Sequence, residues 1–134
     1  MWKSLTKFHD AGLLFLRIAL GSFFIYAHGW PKLAGGVARW KELGRATKHV
    51  GITFAPEFWG FMAAFSESVG CALFVLGLLF RPAAMLIATT LIVASITMYH
   101  TKGGLVAAAH PIELAIVFFS FIFIGPGKLS FDKG

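Results

Sequence analysis

The sequence is short of charge. Only 13% of its 134 residues are Asp, Glu, Lys or Arg, where a water-soluble domain carries about 25%. A chain this short has much surface for its volume, so the shortage excludes an ordinary soluble globular domain. It also excludes a disordered tail, which needs few apolar residues and much charge. Acids are scarcest: six Asp and Glu stand against twelve Lys and Arg, for a net charge of +6. That balance would suit nucleic acid. The basic residues, however, lie in short stretches between long apolar runs, as in membrane proteins, so no nucleic-acid partner is expected. Cysteine is almost missing. Cys71 alone excludes an intramolecular disulfide, a CxxC redox pair and a Cys-based zinc site.

Apolar residues make up 57% of the chain and aromatics 16%. A membrane span needs about 20 apolar residues, because the hydrocarbon core is roughly 30 Å thick and a helix rises about 1.5 Å per residue. Four segments qualify: 11–29, 57–80, 82–99 and 105–125. The expected fold is all-α, an integral membrane four-helix bundle formed as one domain over 1–134, with the lipid bilayer as its first partner. Pro82 fits a first helical turn, and Pro111 should kink the fourth span or mark its true start. Trp2, Trp30, Trp40 and Trp59 fall at or beyond the expected span ends, where amphipathic rings settle at headgroups. Lys3 and Lys7 before an apolar run resemble a signal peptide, but Arg17 inside that run argues for a retained span. The linker 30–56 is read either as a short amphipathic helix in the interface, with Val37, Trp40, Leu43 and Thr47 at helical spacing, or as a solvated basic loop.

Four spans put both termini on one side. That side collects Lys3, Lys7, Arg81, Lys128 and Lys133, and the other Lys32, Arg39, Lys41, Arg45, Lys48 and Lys102. Five against six is an even balance under the positive-inside rule; cytoplasmic termini are the expectation adopted. Parity also puts His28, His49, His100 and His110 on the side away from the termini, and His9 on the other.

An ionisable group inside the bilayer costs about 2.5–3.5 kcal/mol, so it normally faces the bundle and has a partner or a task. Arg17, Glu67 and Glu113 are such groups. Residues three, four and seven apart share a helix face. Arg17, Gly21, Phe24 and His28 therefore align on span one, Gly60, Ala64, Glu67 and Cys71 on span two, Thr90, Thr97 and His100 on span three, and His110, Glu113, Val117 and Ser120 on span four. Small residues at that spacing allow close helix approach. Inward-facing stripes would place one glutamate against Arg17 and leave the other as a proton-exchanging carboxyl. On this reading Glu67, Glu113 and Arg17 are the candidate catalytic residues; the alternative is that they only lock helix register. A cluster of His28, His100 and His110 would suit a metal, a haem or a quinone carbonyl, or the three are interfacial histidines without a shared ligand. No HxH or HxxxH spacing supports a metal.

These residues carry a resemblance. The run Leu16-Arg17-Ile18-Ala19-Leu20-Gly21, followed by His28-Gly29-Trp30-Pro31-Lys32-Leu33, is similar to the R-x-x-x-G and H-G-x-x-K-L pattern of the DoxX family of small four-span membrane proteins. Glu67 with Gly70 and Gly77-Leu78-Leu79 before Arg81 resemble its E-x-x-G and G-L-x-x-R. The end, Gly125-Pro126-Gly127-Lys128-Leu129-Ser130-Phe131-Asp132, resembles its G-P-G-x-x-S-x-D. Pro31 is the main departure. The resemblance implies an inner-membrane protein tied to oxidoreductase systems. The expected function is a quinone-linked oxidoreductase subunit or membrane component of a redox complex, with quinone as cofactor, a redox-enzyme partner and a homo-oligomer as further associations. His28, Lys32, His100 and His110 are the candidates for holding the cofactor. The competing functions are a non-catalytic membrane scaffold or assembly partner, and a small proton-coupled transporter acting as an oligomer.

Overall fold

The structure is a computed structural model and describes residues 2–132; Lys133, counted above with the terminus-side charges, lies outside them. The described residues form helices and turns without a strand. Helix α1 runs without interruption over Trp2–Ala34, and α2 over Gly36–Gly44. Helix α3 covers Pro56–Leu76, α4 Phe80–Lys102 and α5 Ala109–Ile124. Helices α1, α3 and α4 are long and apolar enough to cross a membrane. Helix α5 is apolar but has 16 residues, about 24 Å of rise.

The helix bounds correct three expectations. Span one is longer than 11–29, because Pro31 enters a helical turn directly after a wider π-helical segment, Ile25–Gly29. Span two ends at Leu76 rather than at residue 80, because Gly77 takes a left-handed conformation, φ 68°. Span four begins at Ala109 rather than 105: Gly103 and Gly104 both have positive φ and open a turn. Pro111, whose missing N–H is harmless in a first turn, marks the start of α5 and does not kink it.

The linker 30–56 is mostly helical. Helix α2 packs along the first half of α3, and the approach is set by two glycines. A Cβ on Gly60 would lie 1.5 Å from the Trp40 carbonyl oxygen, and one on Gly44 would lie 1.6 Å from that of Pro56. The small-residue stripe Gly60, Ala64, Glu67, Cys71 therefore does face neighbours. All four residues are buried, but the neighbour at Gly60 is the linker helix and not another span. After α2 a tight 3-10 turn, Arg45–Val50, leads to Gly51 in the left-handed region. Thr97 on α4 holds this turn through its hydroxyl, 3.3 Å from the Ala46 carbonyl.

The core is aromatic. Phe74 of α3 stacks on Phe80 at 4.9 Å and meets Phe118 and Phe121 of α5 edge-on at 5.0 and 5.1 Å. Phe24 of α1 reaches Phe118 at 5.8 Å. Within lipid there is little hydrophobic drive between helices, so such close packing is what associates them, and each aromatic pair adds about 0.5–1.5 kcal/mol.

Replacing Gly60 by Leu should lower the thermal unfolding midpoint in detergent, since overpacking a tight contact costs about 1–3 kcal/mol or more. Here the obstacle is backbone. An unchanged midpoint would contradict the α2–α3 contact.

Candidate functional site

Arg17 is buried on α1, 2% exposed, and pairs with neither glutamate. Its guanidinium donates to four backbone carbonyls: Nε to Phe74 at 3.3 Å, Nη2 to Val75 at 2.9 Å, and Nη1 to Pro126 at 2.9 Å and Leu129 at 2.7 Å. Phe74 and Val75 belong to the last turn of α3, where carbonyls run out of intrahelical donors; Phe74 also accepts the Gly77 N–H at 3.2 Å. A fixed cation at a helix C-terminus also complements the helix dipole. Glu67 lies seven residues earlier on α3, about 10 Å deeper. The nearer carbonyls therefore take the arginine.

The same end of the bundle gathers the C-terminal signature. Gly77 sits against both Ser130 and Arg17, where a Cβ would meet the Ser130 Cβ at 2.4 Å. The Phe131 and Asp132 N–H groups donate to the Leu76 and Gly77 carbonyls at 3.3 and 2.8 Å. The Asp132 carboxylate accepts the N–H groups of Leu79 and Phe80 at 2.9 and 2.8 Å. It thereby caps α4 from 52 residues away in sequence and supports Leu79, held at φ 47°. On the opposite wall, Asp10 accepts the Lys128 N–H at 3.0 Å. The signature is thus a structural clasp, with Arg17 at its centre.

Glu67 has a different partner, Lys32. The Lys32 ammonium donates to Glu67 Oε2, and the carboxylate is buried, 3% exposed against 22% for the lysine side chain. The backbone explains the meeting. Glu67 lies in a second π-helical segment, Ser66–Gly70, which packs against the first, Ile25–Gly29. Gly29 is in direct contact there: a Cβ on it would lie 1.9 Å from the Glu67 carbonyl oxygen. Lys32 is three residues on and shares that face. The indole N–H of Trp40 holds the Lys32 carbonyl at 3.1 Å, so Trp40 anchors the end of α1. π-helical turns are rare and are found mostly at functional sites. By sequence Lys32 is a candidate for holding a cofactor and not the partner of Glu67.

Lys32 and Glu67 stand at one edge of a cleft of about 680 Å³. Its walls come from α2 and the turn after it, from α3 and from α4, and are apolar: Leu43, Val50, Ile52, Met62, Met85 and Val93 line it. On α4 the lining runs from Pro82 to Ala94, about 18 Å along the helix. Polar groups are few. Ser66 and Thr90 share a hydrogen bond of 2.6 Å. On the wall at Trp59, the indole N–H is buried and has no acceptor among the described residues.

The remaining candidates lie elsewhere. Glu113 is exposed on the outer side of α5, well apart from the inward stripe expected for it, because Pro111, Phe118 and Phe121 are the residues that α5 buries. The histidines form two pairs and no cluster of three. His28 packs against His110, centroids 5.8 Å apart, and against Phe24 at 4.9 Å. His100 stacks on His49 at 5.4 Å and 6°. Among the described residues no group of His, Cys, Asp or Glu is arranged to hold a metal. His28, His100 and His110 do not line the cleft, although His28 lies within electrostatic range of Lys32 and Glu67.

A family model for DoxX matches residues 12–100, about two thirds of the chain. The chain belongs to the DoxX family. The match takes in Arg17, the His28–Leu33 run, Glu67 and Gly77–Arg81, while the clasp residues Gly125–Asp132 lie beyond it. No curated protein and no solved structure matches the chain. Within this DoxX chain the motif residues therefore have separate physical tasks, with Arg17 and Gly77 building the clasp and Gly29, Lys32 and Glu67 building the cleft edge.

Changing Arg17 to Met should destabilise the protein by about 3–5 kcal/mol, the range for removing one partner of a buried charged arrangement. Arg17→Lys should recover only part, because an ammonium lacks the planar fork. Thermal unfolding, with carboxypeptidase release of the C-terminal segment as a second readout, checks this. Equal stability of all three proteins would contradict the clasp.

Proposed function

We propose that this DoxX protein is the quinone-binding membrane component of a redox system, and that the cleft ending at Lys32 and Glu67 is its binding site. The observation that carries the reading is a buried ammonium–carboxylate pair at the edge of a long apolar cleft. Ligand pockets have volumes of about 300–1,000 Å³ and combine apolar walls with a few placed polar groups. A quinone joins a flat head bearing two carbonyl oxygens to an apolar tail, and the residues present fit both parts. When bound, it supplies two-electron, two-proton redox chemistry.

The protein's own residues supply the rest. Lys32 is the donor for a carbonyl oxygen, and its ammonium also favours negative charge developing there. Glu67 is the group that holds and passes a proton, since an acid and a base in contact can exchange one without bulk water. Gly29 and the Trp40 hydrogen bond to the Lys32 carbonyl keep the pair in register. Thr90 and Ser66 border the head, Trp59 offers its unused N–H as a second donor, and Met62, Met85 and Val93 take the tail. The electron donor in this reading is a partner protein or a bound substrate. Placement in the inner membrane with cytoplasmic termini belongs to the same proposal, and reporter fusions at the two termini test it.

The reading predicts that a short-chain benzoquinone quenches the tryptophan fluorescence of the protein in lipid nanodiscs in a saturable way. Glu67→Gln and Lys32→Met should each weaken binding about tenfold or more, since a hydrogen bond to a charged group is worth about 1.5–3 kcal/mol. Ala94→Phe, which fills the cleft without touching the pair, should weaken it as well. Saturable binding that none of the three changes alters, or no binding at all, would overturn the proposal in favour of a scaffold.

A further inference from the structure

Glu67 has no open way to water. Its carboxylate is 3% exposed, and the Lys32 side chain that meets it is 22% exposed. A ligand filling the cleft covers the pair from that side, and lipid has no water to supply. A group that passes protons still needs a source of them. Two histidines that do not line the cleft stand beside the pair. His28 lies one residue before Gly29, whose backbone meets the Glu67 carbonyl, and four before Lys32, on a shared face of α1. The titratable groups near enough to act on His28 are Lys32 on its own helix, Glu67 on α3 and His110 on α5. Phe24 packs against the same ring at 4.9 Å. His110 is the second residue of α5, and its ring centroid lies 5.8 Å from that of His28. His110 is exposed, His28 is half-buried and Glu67 is buried. The three groups thus lead inward, step by step, from the end of the bundle where α1 finishes and α5 begins.

On the reading of Glu67 as the proton carrier of the cleft, on which this rests, we infer that His110 and His28 form a proton relay from the water at that end of the bundle to Glu67. Chains of His and acidic side chains carry protons through apolar protein. Imidazole suits the task because it gains and loses a proton near neutral pH, and its two nitrogens can accept on one side and donate on the other. The steps balance. Neutral His110 takes a proton from water on one ring nitrogen and gives the proton of the other to His28, directly or through one water. His28 does the same toward the Glu67 carboxylate, which becomes the neutral acid. Each ring ends neutral with its proton on the opposite nitrogen, and rotation of the ring resets it. With Glu67 neutral, the Lys32 ammonium is free to donate into the cleft.

The test follows Glu67 itself and uses no quinone. The full chain in lipid nanodiscs is acidified in a rapid step, its size chosen from the equilibrium titration of the infrared band of protonated Glu67, which Glu67→Gln removes. His28→Phe keeps a ring against Phe24 and should slow the rise of this band at least tenfold, with the same final amplitude. His110→Ala should slow it to a similar degree. Free imidazole in the buffer should restore the rate of His110→Ala, where the missing ring stands at the surface, but not that of His28→Phe, where the space is filled. A purely structural role for the two rings gives no such rescue. An unchanged rate in either variant, imidazole that leaves His110→Ala slow, or a Glu67 band that no acid step produces would overturn the relay. None of these outcomes bears on quinone binding, which fluorescence quenching reads separately.

Discussion

One buried guanidinium ties this molecule together. Arg17 sits where charge is costly, and its guanidinium donates to four backbone carbonyls. Two of those carbonyls end α3 and two belong to the segment after α5. Lipid offers these carbonyls no donors, and beyond the Gly77 N–H that reaches Phe74 at 3.2 Å the arginine is what satisfies them. The arginine therefore joins the first helix, the third helix and the C-terminal segment at a single point. The left-handed turn at Gly77 and the Asp132 cap on α4 depend on that segment staying in place.

The second constraint is steric. Gly29 against the Glu67 carbonyl, Gly60 against Trp40 and Gly44 against Pro56 are contacts that any side chain would block. They draw α1 and α2 onto α3. Contacts of this closeness leave the rest of the space between α2, α3 and α4 to be filled by larger residues, and these do not meet across it. The cleft is what remains, bounded by the glycine contacts on one side and by the apolar face of α4 on the other. The Lys32–Glu67 pair is positioned by the backbone approach at Gly29, so the opening and its charged edge share one cause. The clasp and the cleft edge are separated by about 10 Å along α3, so one helix takes part in both.

Much of the fold was legible beforehand. Apolar runs, the prolines at 82 and 111 and the sparse charge point to a helical membrane bundle, and the spacing of Gly60, Ala64, Glu67 and Cys71 shows which side of α3 is buried. The site was legible only in part. Glu67 stood out because a carboxylate inside a span is rare. Its partner did not, because Lys32 lies beyond the apolar run and its ammonium reaches back. Asp132 as a cap for α4 was hidden by sequence distance. The π-helical segments have no composition signal at all, since they arise from how α1 and α3 meet.

The sequence by itself determined the solvent and the elements. Hydrophobicity accumulates residue by residue, so a chain with this little charge is assigned to lipid whatever its tertiary structure, and local turn chemistry at Gly103, Gly104 and Pro111 sets helix ends. Only the tertiary structure decided the pairings. Helical periodicity shows that a charge shares a face with its neighbours three and four residues away. It does not show which other helix lies opposite or at what depth. Those depend on where the backbones can touch: here the glycine contact at Gly29 puts Lys32 beside Glu67, the end of α3 offers Arg17 its carbonyls, and the packing of Pro111, Phe118 and Phe121 turns Glu113 outward.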